Sequence, residues 1–167
     1  MSKFKGWPTR QVVTARPSLD ALIEIVKDQA GELSAETRAW LARLLIVRCS
    51  GYVEQVAFEC FRGHILEKVG GPSRAFALTW IARSRNPTPR NLVDMVARFD
   101  QSWSDELEAY LGDEDDRLLR DMNYLVSARN NIAHGLNEGV TPRRAIELSA
   151  STIEVADWFI LRFNPLR

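Results

Sequence analysis

An all-α bundle of six or seven helices, folded as a single domain, is what this sequence predicts. Three observations carry that expectation. Apolar residues recur at spacings of three and four along successive segments, cap and breaker residues bracket each segment, and no stretch alternates with period two for long enough to make a strand. No internal repeat or low-complexity tract interrupts the pattern. At 167 residues and 46% hydrophobic, the chain can bury roughly two-thirds of its unfolded surface around one core, with no need of a disulfide or a metal staple.

Residues 1–17 read as an N-terminal arm packed on the surface, because Phe4, Trp7, Val12 and Val13 show no sustained period and Pro8 and Pro17 punctuate them. Residues 18–167 form the helical domain. Ser18 is a good N-cap for Leu19, Leu22, Ile23 and Val26, and Gly31 ends that first helix. Ser34 opens a much longer one through Trp40, Leu41, Leu44, Leu45, Val47, Val53, Val56, Phe58 and Phe61, stopped by Gly70-Gly71-Pro72. Its apolar residues lie on more than one side, as expected of the central helix of a bundle.

A third helix fits Ser73–Ser84, broken by Asn86-Pro87. Thr88-Pro89 then supplies an N-cap and a first-turn proline for Leu92, Val93, Val96 and Phe99. Ser104, followed by Asp105 and Glu106, marks a short helix that Gly112 closes, and the acidic run Asp113–Asp116 places negative charge at the start of the next one. Thr141-Pro142 starts the last helix, which carries Ile146, Ile153, Val155, Trp158 and Phe159.

Charge and cysteine usage narrow the function. Lys+Arg and Asp+Glu are each 22, so the net charge is zero, and a broad electrostatic grip on chromatin or on a membrane surface is excluded. Any contact with nucleic acid must be local. Cys49 and Cys60 stand 11 residues apart on one predicted helix, about 16 Å along its axis, beyond the roughly 7 Å that a disulfide allows between Cα atoms. Unpaired cysteines, no secretory leader and no apolar run of membrane-spanning length point to a cytoplasmic protein.

The stretch Val126-Ser127-Ala128-Arg129-Asn130-Asn131-Ile132-Ala133-His134-Gly135 carries the chemistry. Leu118, Met122, Leu125, Arg129 and Ile132 follow one another at helical spacing, so Arg129 sits on the packing stripe, where an arginine needs a carboxylate partner or a cleft. Beside it runs a polar, uncharged stripe of Asn123, Ser127, Asn130 or Asn131, and His134, the composition of a groove lining. Cleaving RNA by its own 2′-hydroxyl asks for a proton acceptor near neutral pH, which histidine offers, and a fixed cation for the phosphorane, which guanidinium offers. That chemistry requires no metal or other cofactor, and the sequence carries no cluster of Asp, Glu and His at ligand spacing. On an ideal helix Arg129 and His134 are about 140° and 7.5 Å apart, so two copies facing each other make a better site than one.

Arg-Asn-Asn-Ile-Ala-His-Gly, closing one helix ahead of a Thr-Pro-capped C-terminal helix, resembles the RxxxxH motif of the HEPN superfamily. Ser50-Gly51-Tyr52-Val53-Glu54 and Asn86-Pro87-Thr88-Pro89 resemble the RiboL-PSP-HEPN branch, so the similarity spans most of residues 18–165. The resemblance implies a dimerising α-helical domain that is a metal-independent endoribonuclease, leaves a 2′,3′-cyclic phosphate and works in toxin–antitoxin or antiphage defence, opposite a cognate antitoxin. It assigns catalysis to Arg129 and His134, with Asn130, and beside it Asn131, orienting them or binding phosphate. Arg48, with Glu54 and Tyr52 nearby, is expected to form a structural ion pair or to support the site from behind, and His64 to be a surface residue. Arg74, Arg83, Arg85 and Arg90 read as ordinary solvated surface. The alternative from another class is an inactive HEPN-like dimerisation, antitoxin or nucleotide-binding module.

Overall fold

The structure, a computed structural model, describes residues 6–28, 33–82, 86–136 and 139–165. Among these residues it holds seven helices: α1 (Arg10–Asp28), α2 (Ala35–Lys68), α3 (Gly71–Ile81), α4 (Pro89–Ala97), α5 (Gln101–Leu111), α6 (Asp113–Ala133) and α7 (Pro142–Arg162). The predicted all-α bundle is therefore the observed architecture, and none of the helices is long and apolar enough to cross a membrane.

Helix α2 is the pillar. Leu45, Ile46, Cys49, Val53, Val56 and Cys60 are wholly buried along it. It lies beside α7 and runs in the same direction, since Cys49 meets Thr152 and, farther along, Phe61 meets the rings of Phe159 and Phe163. Helix α6 runs opposite to α7, because Arg117 pairs with Glu154 while Asp121 pairs with Arg144. Asp121 is only 8% exposed, yet its carboxylate is fully engaged: Arg144 donates to one oxygen at 2.6 Å and the Ser151 hydroxyl to the other at 2.5 Å. A buried carboxylate is tolerable only with such partners.

Three caps sit where the sequence expects them. Ser34, Thr88 and Thr141 each accept a backbone N–H of their helix's first turn, and Pro89 and Pro142 occupy positions where a missing N–H costs nothing. Four local expectations are corrected. Helix α1 begins at Arg10, not after Ser18, and continues through Pro17. The prolyl ring removes one helical hydrogen bond, but Val12 and Leu19 are seated on the core on either side of it, and Arg16 bridges to Asp20 and to Asp157 of α7. Trp7 joins them by donating from Nε1 to the Ile160 carbonyl.

Asp100, not Ser104, caps α5, and Ser104 is buried with its hydroxyl on the Val93 carbonyl, tying α5 to α4. Helix α3 starts two residues early, at Gly71, and Ser84 lies outside the described residues. The acidic run does not open α6 in right-handed form. Glu114, Asp115 and Asp116 have φ of 52°, 57° and 60°, a left-handed turn that costs about 1–2 kcal/mol per residue, and the regular helix starts after it. Arg117 recovers part of that cost by pairing with both Glu114 and Glu154.

His64 is not a surface residue. Its ring is half-buried and meets Phe99, Trp103 and Phe163 edge-on at centroid distances of 6.0, 5.5 and 5.8 Å. Burial, and then the nearby Lys68 charge, lower its pKa below the ordinary 6.5; the Phe163 backbone opposes this in part, although Nδ1 has no well-formed hydrogen bond. The sign of the linkage follows: the folded state resists a proton that the unfolded chain accepts, so stability is full above pH 6.5 and falls as pH drops below it. In urea titrations at pH 5 and pH 7.5, His64→Leu is expected to shrink the gap between the two midpoints. Asp121→Asn, which deprives Arg144 of its buried partner, is expected to cost about 2 kcal/mol by the same measurement at pH 7.5.

Candidate functional site

Helix α6 delivers the motif. Leu118, Met122, Leu125 and Ala128 are buried on its inner side, which leaves Asn123 and Ser127 exposed and brings Arg129 to a half-buried position where the packing stripe leaves the core. From there the guanidinium reaches sideways. Its Nη1 donates to Asn86 Oδ1 at 3.1 Å and to Asn130 Oδ1 at 2.9 Å. Both acceptors are neutral amides, and no carboxylate among the described residues pairs with Arg129. A half-buried cation balanced only by amides keeps its affinity for an anion.

The end of α6 is a defined stop, not a frayed one. Gly135 takes a φ of 74°, its N–H bonds the Ile132 carbonyl at 3.0 Å, and the Leu136 N–H bonds the Asn131 carbonyl at 2.9 Å. This paired closure needs the left-handed residue that glycine supplies. It fixes His134 as the exposed C-cap, with φ −87° and ψ 8°. The imidazole hydrogen-bonds no side chain among the described residues. Since α6 stays helical through Ala133, Arg129 and His134 leave the axis about 140° apart and do not share a face. Asn131 is half-buried and engaged, and Asn130 is spent on Arg129.

Asn86 joins this corner to a cleft. Between α2, α3 and α4 lies a cavity of about 360 Å³. Phe58, Phe61, Ile81, Leu92 and Met95 make it apolar, and Glu54, Gln55, Asn86 and Asn91 supply its polar groups. Asn91 holds the Asn86 loop in place by donating from Nδ2 to its carbonyl at 2.9 Å. Asn86 was legible in the sequence as a helix breaker and as part of the Asn86-Pro87-Thr88-Pro89 stretch, not as a partner of Arg129. A polar side chain just ahead of a Thr-Pro cap was the available signal for more, and only the tertiary path shows that it meets Arg129 across 43 residues.

The other sequence-predicted positions scatter. Glu54 lines the cleft, whereas Arg48 is exposed on another side of α2, in a second cavity with Ala15, Leu19 and Tyr52, and among the described residues it forms no ion pair. Its expected structural pairing is not made, because six residues of helix turn Arg48 and Glu54 about 120° apart. Tyr52 is buried and bonds Arg16 instead, so it belongs to the α1–α2–α7 seam and touches neither Arg129 nor His134. Arg74 is spent on the Val69 carbonyl, Arg90 is exposed, and Arg83 and Arg85 lie outside the described residues.

Cys49 and Cys60 are buried and unpaired, and burial drives the Cys49 thiol up to about 12 and the Cys60 thiol higher still, so neither is a nucleophile. Among the described residues no three His, Cys, Asp or Glu side chains converge to hold a metal ion. No protein-family model matches the chain, and neither a curated protein nor a solved structure matches it.

Because Arg129 and His134 rest on neutral partners and solvent, they contribute little to folding. Arg129→Ala and His134→Ala are each expected to change the unfolding free energy by less than about 1 kcal/mol, measured by urea denaturation. Gly135→Ala, which forces a side chain into the left-handed region, is expected to cost about 1 kcal/mol.

Proposed function

We propose that this protein is a metal-independent endoribonuclease of the HEPN type that works as a homodimer in the cytoplasm, in a toxin–antitoxin or antiphage setting. The observation that carries the reading is the Arg129 corner: a half-buried guanidinium that among the described residues faces neutral amides, joined through Asn86 to a cleft, on the same helix as an exposed histidine five residues on. The resemblance of Arg129-Asn130-Asn131-Ile132-Ala133-His134-Gly135 to the RxxxxH motif agrees with it. In this scheme the 2′-hydroxyl of the RNA gives its proton to a histidine and attacks the adjacent phosphorus. The guanidinium holds the phosphorane charge, and the leaving 5′-oxygen takes a proton, giving a 2′,3′-cyclic phosphate and a 5′-hydroxyl. Asn130 sets the angle of Arg129.

Two features favour a composite site. Arg129 and His134 diverge around α6, and His134 has no partner in its own chain's described residues to fix its tautomer, which a catalytic imidazole needs. A second copy supplies the missing face. Helix α2 offers the surface for it: Trp40, Leu44 and Val47 are 59%, 48% and 37% exposed, and with Gly51 they repeat at spacings of four, three and four, the seam of a helix pair. The same seam would serve a non-catalytic dimerisation module, which cleavage distinguishes.

Incubation with end-labelled RNA in EDTA is expected to yield cyclic-phosphate ends with wild type, at a rate at least about 100-fold lower for Arg129→Ala and for His134→Ala. Indistinguishable fragments from wild type and His134→Ala would sink the enzyme reading. Leu44→Glu is expected to give a monomer by light scattering, with cleavage lost alongside. A mixed dimer of the Arg129→Ala and His134→Ala subunits, in which one composite site is intact, is expected to recover part of the activity that each parent lacks.

A further inference from the structure

The cleft beside Arg129 is larger than a phosphate requires and differs from it in chemistry. About 360 Å³ lies at the small end of the range for ligand cavities, enough for one flat heterocycle. One wall is aromatic, with Phe58 half-buried and so able to take a ring against its face. The polar side mixes acceptors with donors. Glu54 brings a carboxylate and Asn91, whose Nδ2 is given to the Asn86 carbonyl, keeps Oδ1, while Gln55 and Asn86 add amide donors. Asn86 belongs to both regions, lining the cleft while its side-chain oxygen accepts from Arg129 at 3.1 Å. A group bound in the cleft and an anion bound at Arg129 are therefore neighbours.

We infer that the cleft between α2, α3 and α4 seats the nucleobase adjoining the phosphate that Arg129 engages, so that the enzyme prefers cleavage beside particular bases; this rests on the ribonuclease reading above. A nucleobase satisfies each requirement together: it is flat, stacks on Phe58, carries polar edges and arrives covalently joined to a phosphate. The mixed lining meets the donors and acceptors that lie side by side on a base edge, and the exocyclic amino group of guanine, adenine or cytosine is a donor that it can hold.

Ala82 tests the cleft without entering the core, since it lines the cavity yet is exposed at the end of α3. Calorimetric titration of the full-length protein with nucleoside 3′-monophosphates, which cannot be cleaved, is expected to show guanosine, adenosine or cytidine monophosphate binding at least tenfold more tightly than base-free ribose phosphate. Ala82→Trp is expected to abolish that advantage while leaving ribose phosphate binding, circular dichroism and melting unchanged. Ribose phosphate binding as tightly as the nucleotides, or unaltered nucleotide binding by Ala82→Trp, would overturn the inference. Sequencing of RNA cleavage ends adds the second arm. Cleavage by Ala82→Trp with wild-type base preference would sink the cleft assignment alone. Nucleotide binding lost in Ala82→Trp, from a wild type that cleaves nothing, would keep the base site and remove only the ribonuclease reading.

Discussion

The side-by-side packing of α2 on α7 is the contact on which the other elements depend. Leu45, Ile46, Val53 and Val56 from one helix and Leu148, Val155, Ala156 and Phe159 from the other are all essentially inaccessible to solvent. Together they form a two-helix spine with apolar residues on more than one side. Helix α1 closes one side through Val12, Leu19 and Ile23, and an aromatic knot of Phe61, Phe99, Trp103, Phe159 and Phe163 fastens α4 and α5 to its far end. Helix α6 is attached differently, by apolar packing plus a buried polar clasp of Asp121 with Arg144 and Ser151. An unmatched clasp would be costly, so α6 has one register against α7.

That register decides what becomes of the motif. With α6 fixed at Asp121 and closed sharply at Gly135, Arg129 emerges where α2, α4 and the Asn86 loop meet. The corner is built from neutral hydrogen-bonding groups around a cation, an arrangement that gains more from an incoming anion than from further protein contacts. The cleft behind Asn86 is apolar because α3 and α4 turn Ile81, Leu92 and Met95 toward Phe58, and polar at its edge because a helix start and a loop meet there. Scaffold and site are thus separate in kind. The spine is stabilised by area buried, while the corner is left with unmet electrostatic capacity, and the two tolerate different substitutions.

Much of this was legible in the sequence wherever the determining physics is local. Ser34, Thr88 and Thr141 cap helices because a side-chain oxygen can satisfy a first-turn N–H whatever the rest of the chain does. The place of Arg129 on the stripe of Leu118, Met122 and Leu125 followed from helical period alone, and so did the divergence of His134. Misreadings arose where distant residues outbid local preference. Pro17 should end a helix, but Val12, Leu19 and the Arg16–Asp157 bridge hold one through it. Ser104 has the chemistry of a cap but is used as a strut to Val93. His64 carries a polar ring in a sequence context of charged neighbours, yet Phe99, Trp103 and Phe163 arrive from other helices to enclose it.

By itself, then, the sequence determined the helices, several of their ends, the single core and the identity of the residues around Arg129 and His134. Hydrophobic period and capping act over a few residues and need no partner to be read. Only the tertiary structure decided that Asn86 meets Arg129, that Tyr52 serves Arg16 instead of the motif, that Arg48 points away from Glu54, and that a cleft opens beside the guanidinium. Those outcomes depend on how α2, α4 and α6 pack across separations of tens of residues, and side chains on different helices carry no local mark of which of them will touch.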